Sequence, residues 1–586
     1  MTGTSLDAWL LLLIPSAPLA VACALMLWPT RRALTLLAPW AALPALACAL
    51  GLAPPLEIDL PWLLLGTQLG LDHTARIFLF FTAFLWLAAG VFATGYLQEG
   101  DGRARFFVFF LFAMAGNLGL IIAGDMLSFY ASFAMMSFAS YGLILHNRTA
   151  EAGRAGRIYI VMVVAGEVLL FAALILAAAA ADSLLFADVP PALAEAPTRD
   201  VVLALAVAGF GIKLGVLGLH VWLPLAHPVA PTPASAVLSG AMIKAGLLGW
   251  LRLLPLGEGP ALEGWGLLLM AVGLLAVFYA AFVGIAQRNP KTVLAYSSVS
   301  QMGLVTTAIG LGLAVPTRWP EISAIVLFLA LHHALAKGAL FLGVGMAASR
   351  FAAGRYRWLV AAGLVLPALA LAGAPFTSGG LVKALLKPEA MALPAPWGAP
   401  LAALVSWTLV GTVLLMARFL YLAWPSGASA GAPSARASSG YSLAVPWATL
   451  IAALLLSAFT SGLAGAEAVW TWSAVLSGVA TLALAAACTA LAGWLLAKVD
   501  WHRIPLPASG DLVVPVERGL ASLLRTSARA LHDLRYRLSG GEAVAKSYLT
   551  TLRRLLAPAV SIEGGWAPAC TMFLALLLLL AAISAT

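Results

Sequence analysis

Lys213-Leu-Gly-Val-Leu-Gly-Leu-His220-Val-Trp-Leu-Pro224-Leu-Ala-His227, followed by Ala230-Pro-Thr-Pro233 and then Lys244, lies inside a long apolar region running from Asp200 to Arg252. A lysine at the centre of a bilayer costs about 2.5–3.5 kcal/mol on insertion scales. Prolines and histidines interrupt the chain between the two lysines, where unbroken helix would be the cheapest structure in hydrocarbon. A segment that only had to span a membrane would carry leucine at these positions. The pattern points to movement of a cation, and the histidines favour a proton.

Outward from this stretch, the chain of 586 residues is 62% hydrophobic and 10% charged. Soluble domains carry roughly 25% charge, so the composition is that of a polytopic membrane protein embedded in a lipid bilayer. The formal charge of +9 is dispersed over loops and does not indicate a nucleic-acid partner. Cys23, Cys48, Cys488 and Cys570 are scattered through apolar runs without metal-ligand spacing. They argue against an iron–sulfur cluster or a disulfide framework. No glycine-rich dinucleotide or phosphate loop is present either. No cofactor and no metal are therefore expected on this chain. The segment Met1 to Asp7 lacks a basic n-region, so the first apolar run reads as a retained span.

Apolar runs of about 20 residues predict an all-α chain with about sixteen transmembrane helices. They fall near 7–28, 32–53, 73–97, 104–123, 126–145, 158–181, 201–227, 232–254, 264–286, 292–314, 322–348, 358–386, 400–423, 443–464, 472–497 and 566–584. Six regions follow: 1–103 with three helices, two five-helix regions at 104–254 and 264–423, helices at 443–497, a polar segment at 500–563, and a final helix at 566–584. Odd-numbered connections hold most of the arginines, among them Arg31, Arg103, Arg148, Arg288 and Arg350. Even-numbered ones hold acids such as Glu57, Asp72, Asp188 and Glu258. The positive-inside rule then places odd loops on the cytoplasmic side of the inner membrane and both termini outside. In the polar segment, Asp511 to Leu538 carries leucines at helical spacing among arginines. It reads as an amphipathic helix lying on the membrane face or bracing neighbouring subunits.

The seventh and twelfth spans are interrupted, the first around Gly215–Gly218 and Pro224, the second at Gly373-Ala-Pro-Phe-Thr-Ser-Gly-Gly380. Each break has a lysine close by, Lys213 or Lys383. Paired broken helices are the sequence sign of inverted repeats with ion sites near the membrane midplane. Lys213, Lys244, Lys337 and Lys383 fall inside predicted spans, and Glu167 is the acid well inside one. Lysines of tunable proton affinity, interleaved with His220, His227 and His333, can pass protons through small local shifts. Plainer readings exist for individual residues. A lysine can cap a kinked helix or snorkel to the interface, and Arg418 reads as such a snorkelling cation. His220 and His227 can be hydrogen-bonding posts for the broken helix, and Glu167 an interhelical hydrogen-bond partner. His332 and His333 point two ways on a helix, so at most one of them faces a given path.

These residues resemble a known superfamily: the antiporter-like membrane subunits of respiratory complex I, of Mrp-type sodium/proton antiporters and of group 4 membrane-bound hydrogenases. The likeness rests on His220-Val-Trp-Leu-Pro-Leu-Ala-His227, Ala230-Pro-Thr-Pro-Ala-Ser-Ala-Val-Leu-Ser-Gly240 through Lys244, Leu294-Ala-Tyr-Ser-Ser-Val-Ser-Gln301, His333-Ala-Leu-Ala-Lys337, and Ala374-Pro375 through Lys383. It implies two inverted five-helix bundles, spans four to eight and nine to thirteen, each with a half-channel. It also implies that Lys213 stores or releases the proton, that Lys244 relays it, that Lys337 connects the halves and that Lys383 ends the row. His333 matches the histidine of the family's His-Ala-x-x-Lys segment. One departure stands out. The family's glutamate on the fifth span corresponds here to Ala134, so either Glu167 on the sixth span supplies the carboxylate or this half has ceased to conduct. A second departure is Asn289-Pro290-Lys291-Thr292, where the family commonly has an acidic–basic pattern.

The leading expectation is a proton-translocating subunit of a redox-driven complex, with other membrane subunits and peripheral redox subunits as partners. An Mrp-type sodium/proton antiporter subunit is the alternative, and a non-conducting scaffold subunit a second one. Sodium needs hard oxygen ligands, and the shortage of mid-span carboxylates favours protons.

Overall fold

A computed structural model describes residues 6–27, 32–349, 352, 354–425 and 440–497 of the chain. The expected amphipathic segment at 500–563 and the final helix at 566–584 lie outside the described residues. The described chain is mostly helical, and ten of its helices are long and apolar enough to cross a membrane. Each span expected before residue 498 falls on helix: α1 (Asp7–Leu27), α2 (Arg32–Gly51), α3 (His73–Tyr96), α4 (Asp101–Ile122), α5 (Met126–Ile144) and α6 (Ala150–Ala181). The next is split into α7a (Arg199–Leu214) and α7b (Leu223–Val229), followed by α8, which contains Thr232–Leu253. Then come α9 (Glu263–Ile285), α10 (Pro290–Ala314) and α11 (Trp319–Ala347). Another split pair, α12a (Arg357–Ala372) and α12b (Ser378–Met391), precedes α13 (Gly398–Ala423), α14 (Tyr441–Ser457) and α15 (Trp472–Ala497). To these the structure adds a two-stranded sheet, β1 (Leu56–Leu60) and β2 (Thr67–Leu71), in the connection before α3. The alternation Leu-Glu-Ile-Asp-Leu is the period-two signal of such a strand.

Leu60–Gly66 belongs to a second compact unit. Within it the Leu63 N–H donates to the Leu60 carbonyl (3.1 Å) and the Gly66 N–H to Leu63 (2.9 Å).

The helix starts are written locally. Asp72, Asp125, Thr149 and Thr377 each cap α3, α5, α6 and α12b by accepting a backbone N–H three residues on, which satisfies one of the orphan donors of a first turn. Asn289 does the same for the Lys291 N–H at the head of α10, with Pro290 in the first turn, where its missing N–H costs nothing. The departure at Asn289-Pro290-Lys291 is thus a helix start. Its lysine also ties the fold, because Lys291 Nζ donates to the Ala230 carbonyl at 2.8 Å. Asn147 Nδ2 donates to the neighbouring Val229 carbonyl at 2.7 Å. The turn between α7b and α8 is held from both sides.

Helices meet backbone to backbone where glycines allow it. A methyl group at Gly273 would lie 2.5 Å from the Gly303 carbonyl, and one at Gly310 would lie 2.6 Å from that of Gly266. Small residues at membrane helix contacts replace the missing hydrophobic drive with close van der Waals packing. α9 and α10 are therefore bound along their length, and α10 is buried on all sides.

Candidate functional site

Both breaks are built from a helix end, and each leaves a carbonyl without its helical partner. α7a ends at Gly215 with φ 85°, a left-handed position glycine adopts without steric cost. The N–H groups of Gly215 and Val216 both return to the Gly211 carbonyl at 2.9 Å. That leaves the Ile212 carbonyl, which accepts from the Trp222 indole Nε1 at 2.7 Å. α12a ends the same way at Gly373 with φ 90°. There the Ala374 N–H bonds to the Leu369 carbonyl at 3.0 Å, and the Ala372 carbonyl accepts from Lys383 Nζ at 3.0 Å. Lys383 therefore does cap a broken helix.

Lys213 is buried in the last turn of α7a. Its Nζ donates to the Ser137 hydroxyl on α5 and to the Tyr159 hydroxyl on α6, each at 3.2 Å. It also stands 5.8 Å from the Phe133 ring centre and 5.6 Å from that of Tyr159, within cation–π range. Tyr159 donates in turn to the Ser137 carbonyl at 2.9 Å. Ser137 lies one helical turn after Ala134, on the same side of α5. Glu167 is buried on the face of α6 that also carries Val163, Gly166 and Leu170, and neither of its carboxylate oxygens has a hydrogen-bond partner.

Lys244 follows a π-helical turn, Leu238–Met242, of the kind that marks functional positions. The wider turn moves the Ile243 N–H onto the Leu238 carbonyl at 3.3 Å, away from that of Ser239. Lys244 Nζ donates to the Ser239 carbonyl at 2.7 Å and meets His333 Nδ1 at 2.5 Å. The Ser239 and Ser298 hydroxyls pair at 2.7 Å, linking α8 to α10. One residue away, Lys337 Nζ donates to the Ser297 hydroxyl and to the Leu294 carbonyl at 2.7 Å. Lys244, His333, Lys337 and the serines 239, 297 and 298 thus form a cluster shared by α8, α10 and α11. His332 points the other way and shares a proton with the Ser378 hydroxyl at 2.7 Å, at the head of α12b. Its Nε2 has no partner, and the ring feels the charges of both Lys383 and Lys244. Both histidines of the pair are engaged, in opposite directions.

His220 and His227 are fully buried beside the α7 break. His220 Nδ1 accepts the Gly218 N–H at 3.3 Å, and its ring stands between Tyr279 and Tyr296 at 5.9 and 6.2 Å. It therefore faces α9 and α10, in the other half of the chain. His227 stacks on Phe341 at 4.7 Å, and both of its ring nitrogens lack partners. Arg418 donates through Nε and Nη2 to the Gln287 carbonyl at 3.1 and 3.0 Å. It caps the end of α9 and takes no part in the cluster.

The structure brings Lys244, Lys337 and His333 together and sets Lys383 beside His332. Lys213 stands apart. Ser140, three residues after Ser137 on α5, donates to the Met136 carbonyl at 2.6 Å and faces Met242 Sδ at 3.8 Å; thioether sulfur is a weak acceptor. Sequence reasoning named the lysines and the histidine pair and missed the hydroxyls around them: Ser137 and Tyr159 at Lys213, Ser297 at Lys337, Ser298 at Ser239 and Ser378 at His332. The run Tyr296-Ser-Ser298, polar in the middle of an apolar helix, was the available signal.

Residues 123–414 match the family model described as NADH:quinone oxidoreductase/Mrp antiporter, TM. Hydrogenase-4 component B of Escherichia coli is 31% identical over 51% of this chain and 45% of its own length. NADH-quinone oxidoreductase subunit N of Desulforudis audaxviator is 32% identical over 56% of this chain and 63% of its own. The chain thus spans about half to two thirds of these relatives. Among solved structures, an Mrp complex from Dietzia matches with a TM-score of 0.76 at 22% identity, covering 94% of this chain and 63% of that one. Its likeness speaks for the fold. With broken helices, buried lysines and sequence relatives all in agreement, the chain belongs, through residues 123–414, to the superfamily of antiporter-like membrane subunits shared by NADH:quinone oxidoreductases and Mrp antiporters.

Proposed function

We propose that this chain is a proton-translocating membrane subunit of a multisubunit, redox-driven complex in the cytoplasmic membrane. Its partners would be other membrane subunits together with peripheral redox subunits that supply the energy. The observation that carries the reading is the Lys244–His333–Lys337 cluster, buried where α8, α10 and α11 meet. Each lysine there bonds to neutral acceptors: a carbonyl, a hydroxyl or an imidazole. Such partners let an amine give up or take a proton without stranding a paired carboxylate, whereas a fixed ion pair would hold it charged. Protons would run along Lys213, Lys244, Lys337 and Lys383, with His220, His227 and His333 between them and water bridging the gaps. The two broken helices would belong to two inverted five-helix repeats, 104–254 and 264–423. Odd loops would face the cytoplasm and both termini the outside.

The test is proton flux in the native complex reconstituted into vesicles and read with an interior pH dye. Replacing a positioned proton-transfer group costs roughly 10²–10⁴-fold, so Lys244→Gln should lower flux by about two decades while leaving assembly intact. Flux at the parental rate in Lys244→Gln would defeat the reading. Mrp-type sodium/proton exchange is the second reading, favoured by the matching family model, whose description covers Mrp antiporters as well as NADH:quinone oxidoreductases. Flux that stops when sodium is removed would select it over the first.

A further inference from the structure

α12a starts at Arg357 and α13 ends at Ala423, and the two ends stand at one level, because the rings of Trp358 and Trp424 meet edge to face at 6.4 Å. Near the end of α13, Arg418 donates to the Gln287 carbonyl, which brings the end of α9 to the same level. Tyr421 is 76% exposed here and Trp358 67%. Exposed tryptophan and tyrosine at the ends of spanning helices sit among lipid headgroups.

The charge at this level has one sign. The guanidinium of Arg355 stands 4.8 Å from the Tyr356 ring centre, that of Arg357 5.8 Å from Trp358, and that of Arg418 5.6 Å from Tyr421. Among the described residues none of these three arginines pairs with a carboxylate, whereas Arg252 and Arg318 each hold one. No acid lies in the first turn of α12a, and Arg357 Nε has no hydrogen-bond partner. Arg418 spends Nε and Nη2 on the Gln287 carbonyl, which leaves Arg355 and Arg357 as the arginines with donors to offer. Inward from them the exposed face turns apolar. Leu359, Leu366 and Leu369 are exposed on α12a as it runs towards its break at Gly373, and two helical turns put Leu366 on the same side as Leu359.

We infer that this patch binds an anionic phospholipid, with its phosphate on Arg355 and Arg357 beside the Trp358 ring and an acyl chain along Leu359, Leu366 and Leu369. Guanidinium is planar and weakly hydrated and meets phosphate oxygens two at a time, and the aromatic rings hold the arginines at headgroup depth. Phosphate at one end and hydrocarbon at the other match arginine above and leucine below. A second candidate cover is the stretch Asp511 to Leu538 of this chain. It carries five arginines against Asp511, Glu517 and Asp533, so its net charge has the same sign as the patch and opposes docking there. The inference stands apart from the lysine cluster and does not depend on proton transport.

The test titrates the native complex, in neutral detergent, with dioleoyl phosphatidylglycerol or dioleoyl phosphatidylcholine and counts bound lipid by native mass spectrometry. Arg355→Gln combined with Arg357→Gln should remove one phosphatidylglycerol per copy of this chain, or raise its midpoint at least fivefold, and leave phosphatidylcholine binding unchanged. Arg148→Gln, an exposed arginine in the connection after α5, should bind as the parent does. Parental phosphatidylglycerol binding in the double variant would overturn the inference. So would an equal loss of both lipids, which would mean an unselective lipid belt. Inorganic phosphate that displaces phosphatidylglycerol at equal concentration would mark a site for free anions and overturn the lipid assignment. A disulfide formed between Trp358→Cys and Leu531→Cys in the lipid-bound complex would give the patch to this chain's own segment and overturn it too. Should the double variant fail to assemble, Arg355→Gln alone decides, since Arg355 is exposed: a midpoint raised twofold or more supports the site, and the parental midpoint overturns it.

Discussion

The breaks in α7 and α12 begin alike, each with a glycine at positive φ and a carbonyl left open, yet they close differently. In the first, the Trp222 indole satisfies the Ile212 carbonyl, so Lys213 is released to meet hydroxyls on two other helices. In the second, Lys383 itself reaches back to the Ala372 carbonyl. One lysine is spared structural duty because a tryptophan performs it; the other holds its own helix together. The difference shows why a buried lysine near a helix break has no single meaning. What such a lysine bonds to depends on whether another donor already serves the backbone.

Substitutions can break that comparison, and the most severe should be Gly379→Ala. A methyl there would meet the Ala370 carbonyl at 2.0 Å, which is backbone and cannot yield. The second break should fail to close, and the complex should be lost from a size-exclusion profile. Next comes the pair Lys383→Leu and Lys383→Gln. Leucine strands a buried carbonyl, a loss of about 1–3 kcal/mol, whereas the glutamine amide can still donate. Thermal unfolding should separate the two, while flux should fall in both. Equal stability in the two variants would deny Lys383 its capping role. At the first break Lys213→Leu strands no backbone carbonyl, so it should cost less stability than Lys383→Leu while abolishing flux. Trp222→Phe should instead cost about 1–3 kcal/mol, because it removes the donor and keeps the ring. The smallest effect expected is from Gly218→Ala. Its φ is 87° with open space around it, so only the left-handed backbone term of about 1–2 kcal/mol is lost. A larger loss would mean that the loop between α7a and α7b is more tightly specified than its surroundings indicate.

Much of this architecture was legible in the chain. Apolar runs of membrane length marked the helices, and Gly215 and Gly373 marked the breaks, because few residues other than glycine end a helix in the left-handed region. The candidate site was half legible. Lysine in an apolar run is conspicuous; Ser137, Ser297 and Ser378 are not, since serine occurs in membrane helices with its hydroxyl folded back on its own backbone, as Ser140 shows towards Met136. The two uses of the histidine pair were equally hidden. Helical geometry says that His332 and His333 diverge, and does not say that each direction holds a partner.

The sequence by itself determined where the chain crosses hydrophobic thickness, where it breaks and which ionisable groups are carried inside. These are local matters of transfer free energy and backbone freedom, and they depend on residues close together in the chain. Only the tertiary structure decided that Lys244 belongs with His333 and Ser239, that Lys383 belongs to its own helix end, and that Lys213 meets the hydroxyls of Ser137 and Tyr159. Those pairings join residues far apart in sequence, and they arise from which helix faces come together when the glycine-lined backbones pack. A hydrogen bond a few ångströms long is fixed by that packing, which no local pattern encodes.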